Sequence, residues 1–178
     1  MTCTVYIGTS IDGYIAGPEH DISWLETVPN PEGSDLGFFD FIAEIDALVM
    51  GRVTFETVIG FGMGWHYPVP GIILSNTMTQ IPDDLDQSKL SLFSGTPAAT
   101  IEHARSLGYE RLYIDGGDTV QQFLAADLID DLIISELPVL VGGGTLLFGT
   151  LAEQQVYELI HSEVLLEQIV KRHYRRKR

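Results

Sequence analysis

The chain has 178 residues, 45% hydrophobic and 20% charged, enough for one domain with a full core and incompatible with intrinsic disorder. Its net charge is −15, but six of the ten Lys and Arg residues fall in the last eight positions, so the body 1–170 sets 25 acids against four bases, a net −21. A body that acidic repels phosphate and excludes a nucleic-acid-binding surface there, and it singles out its four cations: Arg52, Lys89, Arg105 and Arg111.

In chain order, β-rich runs alternate with helical stretches. Val5–Ile7 reads as a strand and Asp12–Pro18 as a turn-rich loop. Asp35 to about Glu44 reads as a helix with Leu36, Phe39, Ile42 and Ala43 on one face. Ala47–Met50 is a buried strand that passes through Gly51 into a helix starting near Val53. Gly71–Ser75 and Leu90–Phe93 are further strands. A helix from Pro97 to Leu107 has Pro in its first turn and Gly108 just past its end. Arg111–Ile114 is a strand, Thr119–Ala126 a helix and Leu132–Ser135 a strand. From Gln155 to Tyr174 the alternation is weak, and a terminal hairpin is expected. The order argues for a layered α/β domain over 1–178, its sheet mainly parallel, with antiparallel strands at the C-terminal edge.

Several chemistries fail on spacing. The lone Cys3 excludes a disulfide framework and a Cys-built zinc site. The five histidines are dispersed, so no metal is expected. Gly142-Gly-Gly144-Thr-Leu-Leu147 and Gly60-Phe-Gly62-Met-Gly64-Trp65 both lack the third glycine of G-x-G-x-x-G, and no P-loop or G-x-S-x-G elbow occurs. No apolar run approaches the roughly 18 residues that span a bilayer, and Met1-Thr-Cys-Thr-Val lacks a signal-peptide pattern. The expectation is a cytoplasmic protein with no membrane partner.

Two strand–turn–helix junctions can hold an anion, because a helix N-terminus offers unpaired N–H groups and a positive dipole end. The first is Leu48-Val-Met-Gly51-Arg52-Val-Thr54-Phe-Glu56, where Arg52 is the only Lys or Arg among the first 88 residues. The alternative is a helix-start arginine paired with an acid such as Glu56. The second is Ile114-Asp-Gly116-Gly117-Asp-Thr119, which could equally be a tight turn with no ligand. Two such junctions in one domain favour a nucleotide.

Five stretches in order resemble the dihydrofolate reductase superfold, and more closely the reductase domain of bacterial riboflavin biosynthesis and its small stand-alone relatives. They are Ser10–Gly17 (S-x-D-G-x-I-A), Asp46–Glu56 (D-x-L-x-M-G-R-x-T-[YF]-E), Pro70–Ser75, Tyr113–Gly117, and Leu128–Leu132 followed by Pro138–Phe148. The resemblance implies hydride transfer from NADPH. Carried over by position, Arg52 and Ser75 meet the adenosine 2′-phosphate. Gly51, Thr54, Gly116, Gly117, Asp118 and Thr119 line the pyrophosphate, and Ile15 and Ala16 the nicotinamide. A guanidinium fork suits a phosphate dianion. Asp118 suits it less, and NADPH preference then rests largely on Arg52.

On the substrate side Trp24 is a candidate wall for a flat ring, or else a core tryptophan. Asp35 opens a segment resembling the folate enzyme's pterin-anchoring Asp-Leu-x-aromatic-Phe, or is a helix-start acid beside Ser34. Pro70-Gly71 runs straight into Ile72-Ile73-Leu74 with no arginine for a glutamate tail, which argues against dihydrofolate itself. The riboflavin-pathway substrate carries a phosphate, for which few cations remain. A small flat heterocycle or carbonyl is the expected acceptor, similar to the 5-amino-6-(5-phosphoribosylamino)uracil step. The rivals are a pterin reductase and a non-catalytic nucleotide-binding protein. Strands in the C-terminal half, with the resemblance, suggest a homodimer. The basic tail 171–178 is expected to stay solvated or to pair with the acidic body rather than to bind nucleic acid.

Overall fold

Strand β3 (Ala47–Gly51) has four fully buried residues in a row, the pattern of a strand covered on both faces, and it lies inside an eight-stranded sheet. The computed structural model covers residues 1–178. The remaining strands are β1 (Thr2–Ser10), β2 (Tyr14–Ala16), β4 (Gly71–Leu74), β5 (Leu90–Phe93), β6 (Arg111–Asp115), β7 (Asp131–Leu137), β8 (Thr145–Leu146), β9 (Tyr157–Leu165) and β10 (Ile169–Arg176). The main sheet runs β5-β4-β3-β6-β1-β7-β10-β9; the first six strands are mutually parallel, whereas β10 runs antiparallel to both its neighbours, β7 and β9. Strands β2 and β8 form a separate small antiparallel pair.

Helices α1 (Phe38–Ile42), α2 (Arg52–Gly60), α3 (Pro97–Ser106) and α4 (Gly117–Ala125) complete the layers. One core packs sheet residues such as Val5, Val49 and Ile114 against Ala104 of α3 and Val120 and Phe123 of α4. The other packs Leu48, Met50 and Ile73 against Ile42 of α1 and Phe55 and Val58 of α2. Burying one such phenylalanine stabilises the fold by about 1.5–3 kcal/mol. Three layers with a mainly parallel sheet and antiparallel C-terminal strands agree with the expected fold class.

Three local features depart from the sequence reading. The first helix starts at Phe38, not Asp35, because Leu36 and Gly37 take left-handed backbone angles (φ 57° and 85°) that end any helix approaching from the N-terminal side. A 3-10 helix at Ser23–Thr27 carries no period that a sequence scan detects. The weak alternation after Gln155 has a specific cause. Consecutive residues His173 and Tyr174 face His161 and Leu159, so Ile160 is the extra residue of a β-bulge, and the apolar register changes face there.

The basic segment 171–178 is mostly β10, an inner strand, and its charges are spent within the chain. Arg172 pairs with Glu136 at 3.2 Å, Arg175 with Asp131 at 3.0 Å and Arg176 with Asp127 at 2.7 Å; Arg178 pairs with Asp130 and Asp127.

Candidate functional site

Neighbouring strands β3 and β6 set up the site by sending their following helices to opposite faces of the sheet: α2 packs on one side and α4 on the other. The chain diverges between them, which leaves a crevice at the carboxyl ends of the strands, the place where open α/β sheets receive ligands. A cleft of about 630 Å3 opens there. The register Met50↔Asp115 sets Gly51 beside Gly116, so the two junctions singled out in the sequence are one structure.

They interlock. The Thr54 side chain of α2 occupies the space that a Cβ on Gly116 would need, and Gly116 holds φ +88°. A Cβ on Gly51 would in turn stand 3.0 Å from the Thr119 hydroxyl of α4. Glycine is required at Gly116 by contact and by backbone angle, and at Gly51 a side chain would be a tight fit. Neither helix start has a side-chain cap, whereas α3 is capped by Thr96, which accepts from the Ala99 N–H at 3.2 Å. The first-turn N–H groups of α2 and α4 thus remain as donors for an anion in the cleft.

All ten residues expected around the cofactor line this cleft: Ile15, Ala16, Gly51, Arg52, Thr54, Ser75, Gly116, Gly117, Asp118 and Thr119. Ile15 and Ala16 reach it because their loop is latched. The Asp12 carboxylate accepts from Ser10 Oγ at 2.6 Å and from the N–H groups of Gly142 and Val141 at 2.8 and 3.1 Å. These bonds, Ser10's first, hold its carboxyl below the usual range. Two of the sequence motifs, Ser10–Gly17 and Pro138–Phe148, are therefore halves of one latch. Ser75 sits just past β4 with its hydroxyl accepting from the N–H groups of Met78 and Thr77, so it shapes the turn at the cleft rim.

Arg52 is the only Lys or Arg on the cleft wall, and its guanidinium is held by both oxygens of Glu56 at 2.8 Å, one helical turn on. The pair is 41% and 47% exposed, which makes it weak and exchangeable. Both alternatives raised for Arg52 thus coexist: it stands at the mouth, and it has an internal partner.

The two residues expected on the substrate side do not reach the cleft. Trp24 is 8% exposed and packs with Val28, Leu137 and Ile169 in a small core of its own, so it is a core tryptophan. Asp35 accepts from the Phe39 and Gly37 N–H groups at 2.7 and 3.1 Å, and those bonds hold its carboxyl below the usual range. It shapes the turn into α1 from the surface. Ser34 donates no cap to that helix; its hydroxyl accepts from the Leu36 N–H.

The sequence reading missed Asp115. This last residue of β6 lines the cleft beside Tyr67 and accepts from the Gly116 N–H at 2.8 Å. Burial pushes its carboxyl up to about 6, against the opposing pull of the Gly116 and Tyr113 donors. Burial, together with the Asp115 charge, pushes the Tyr67 hydroxyl up as well. The available signal was an acid closing the run Leu112–Ile114 directly before the Gly-Gly turn.

The chain is thus a layered α/β protein of dihydrofolate reductase-like architecture, with a cleft at diverging parallel strands floored by two uncapped helix N-termini. The chain belongs to the RibD C-terminal domain family, which residues 2–171 match. It is 30% identical to "Uncharacterized protein YwjB" of Bacillus subtilis (strain 168) over 151 residues, 84% of either chain. It superposes on a putative riboflavin biosynthesis protein from Shewanella sp. PV-4 with TM-score 0.95 at 43% identity, each chain fully covered. Dihydrofolate reductase from Enterococcus faecalis, solved with NADP(H), shares the fold with TM-score 0.67 at 20% identity, over 99% of this chain and 97% of that one. No helix is long and apolar enough to cross a membrane.

Proposed function

We propose that the chain is an NADPH-dependent reductase acting on a small flat heterocycle or carbonyl compound. One observation carries the reading. The ten residues that the resemblance assigns to NADPH come from four separate stretches of sequence, and all ten line one cleft with two uncapped helix N-termini.

The residues suit the group. The α2 and α4 N–H groups would receive the pyrophosphate, and the interlocked Gly51, Thr54, Gly116 and Thr119 keep both helix starts close to it. Arg52, released from Glu56, would take the 2′-phosphate, with Ser75 on the same rim. Ile15 and Ala16 supply the apolar wall for the nicotinamide. When bound, NADPH supplies the hydride.

Reduction of a C=N or C=O bond also needs a proton. Asp115 is the cleft carboxyl fitted to hold one, since a group near 6 remains partly protonated at neutral pH. The proton on its carboxyl oxygen would pass to the nitrogen or oxygen of the acceptor as hydride reaches the carbon, leaving the carboxylate to recharge from water.

The cation count limits the acceptor. Arg105 pairs with Glu102, and Arg111 with Asp46 at 3.2 Å, both on the surface. Once Arg52 serves the cofactor, no Lys or Arg of the cleft remains for a substrate phosphate. A neutral ring or carbonyl therefore fits better than a phosphoribosyl compound.

The test is NADPH titration by fluorescence, followed by oxidation assayed across pterins, aminopyrimidines and quinones. Saturable binding with turnover on one of these classes is the expected result. Binding without oxidation on any of them would point to a nucleotide-binding protein instead.

A further inference from the structure

The residues assigned to NADPH make up only part of the cleft wall. Another part lies on the α1/α2 side of the sheet, where Gly8 of β1 and Asp115 of β6 form a floor. Asp115 faces that side because Tyr113, two residues earlier on the strand, packs in the core with α1 and α2. A Cβ on Gly8 would meet the Leu25 side chain at 3.0 Å, so Leu25 lies over this floor from the 3-10 helix. Val53 and Thr57, with Phe61 at the helix end, bring one stripe of α2 to the same cleft. The nicotinamide wall adjoins it: a Cβ on Gly117, two residues past Asp115, would stand 3.3 Å from Ile15 Cδ1.

This compartment is apolar. Leu25, Val53 and Phe61 are 38%, 39% and 49% exposed, and apolar surface inside a cleft is ordinarily covered by a ligand. Its polar groups are few, and most are already engaged. The Thr57 hydroxyl donates to Val53 O at 3.0 Å, and the buried Tyr113 hydroxyl to Tyr6 O at 2.8 Å. His20 is exposed at the rim. Two groups remain. The Tyr67 hydroxyl makes no hydrogen bond within the chain, and its ring is fixed against Phe38, Trp65 and His66. Asp115 accepts from the Gly116 N–H through Oδ1, which leaves Oδ2 to carry a proton.

Burial pushes both groups toward their neutral, donating forms. A phenol and a protonated carboxyl in an apolar site have the composition of an oxyanion hole. A carbonyl oxygen has two lone pairs and can accept from both donors. The nitrogen of a C=N bond has one and can accept from only one. A pterin or aminopyrimidine fits worse still, because its further ring nitrogens and amino groups would find no partner on walls of Leu25, Val53 and Phe61.

We propose that Tyr67 is a catalytic residue, and that Tyr67 and Asp115 together receive the oxygen of a ketone carried on a flat, apolar, uncharged ring. The hydride comes from the reductase reading above, on which this proposal rests; the acceptor is narrowed from C=N or C=O to C=O. As hydride and its electron pair reach the carbonyl carbon, the C=O π pair moves onto oxygen. The Tyr67 O–H stabilises that developing charge and keeps its proton, while Asp115 transfers its own to the oxygen. The ketone leaves as an alcohol, with NADPH oxidised to NADP+, and the Asp115 carboxylate regains a proton from water. Leu25 and Phe61 cover the apolar ring meanwhile.

Two assays on the full chain test this. The first, without NADPH, compares 2-naphthol with isoquinoline, two apolar fused rings that offer one oxygen or one nitrogen. Fluorescence titration should show saturable 2-naphthol binding about tenfold tighter than isoquinoline, and Tyr67→Phe should erase that margin. The variant keeps the ring that packs with Phe38 and Trp65, so its circular dichroism spectrum and NADPH affinity should be unchanged. The second follows NADPH oxidation with 1-tetralone and 3,4-dihydroisoquinoline, C=O and C=N on closely similar fused rings. Only the ketone should turn over, and Tyr67→Phe should lower its kcat about 100- to 1,000-fold while KM changes less than about threefold. Equal binding of the two rings, or a margin that survives Tyr67→Phe, overturns the two-donor site. Turnover of the imine, no turnover of the ketone by protein that binds NADPH, or a ketone kcat indifferent to Tyr67→Phe overturns the carbonyl assignment. Absent NADPH binding, with 2-naphthol behaving as expected, would remove the reductase reading and leave the two-donor site standing.

Discussion

Replacing Arg52 with Ala and Glu56 with Gln, singly, gives opposite effects on NADPH binding. A charge-assisted hydrogen bond to phosphate contributes about 1.5–3 kcal/mol. Arg52 must first leave Glu56, and an exposed pair one turn apart on a helix costs about 0.3–0.5 kcal/mol to separate. The net is about 1–2.5 kcal/mol, so Arg52→Ala should weaken NADPH about 5- to 70-fold. NADH lacks the 2′-phosphate and should change less than about twofold. Glu56→Gln removes the competing partner and should tighten NADPH about twofold. The assay is fluorescence titration of both cofactors against all three proteins at fixed ionic strength. Equal losses for NADPH and NADH in Arg52→Ala would refute the assignment, and weaker NADPH binding in Glu56→Gln would refute the competition.

Three further outcomes follow from the geometry. Asp115 has a folded-state pKa raised from 3.8 to about 6, so the fold gains from its protonation; that stability is complete below pH 4 and is lost as pH rises through 6. The shift corresponds to about 3 kcal/mol, so urea unfolding of Asp115→Asn should show a stability that gains on the unmodified chain by up to that amount between pH 4 and pH 8; a constant difference would contradict the buried carboxyl. Gly116→Ala must displace Thr54 and hold alanine at φ +88°, and it should lower stability by about 1–3 kcal/mol and weaken NADPH with it, both read on one sample by melting and titration. Trp24→Ala should cost about 3–5 kcal/mol in unfolding while leaving the NADPH affinity of the folded fraction unchanged, since Trp24 packs with Leu137 and Ile169 away from the cleft.

Those contrasts also show what the sequence could carry. The parallel strands were legible because Ala47–Met50 and Ile72–Ile73 are continuous apolar runs, and each junction was legible because glycine, then a helix start, is a local pattern. That the two junctions interlock through Thr54 and Thr119 was not, because strand order is a long-range property. Trp24 and Asp35 illustrate the same limit from the other side. A tryptophan or an acid near a loop has several uses, and only packing distinguishes them. Asp115 was hidden by its neighbours: set before Gly116 and Gly117 it reads as part of a turn, and its raised pKa comes from burial that no local pattern encodes. The C-terminal hairpin was legible as an antiparallel edge, but the bulge at Ile160 blurred the alternation between its two faces.

The most direct measurement is calorimetric titration of NADPH into the full chain, with adenosine 2′-monophosphate and adenosine 5′-monophosphate as competitors. The account predicts one saturable NADPH site per chain, displaced more readily by the 2′-phosphate and weakened by Arg52→Ala. No saturable binding, or displacement by the two monophosphates alike with Arg52→Ala unaffected, would contradict it.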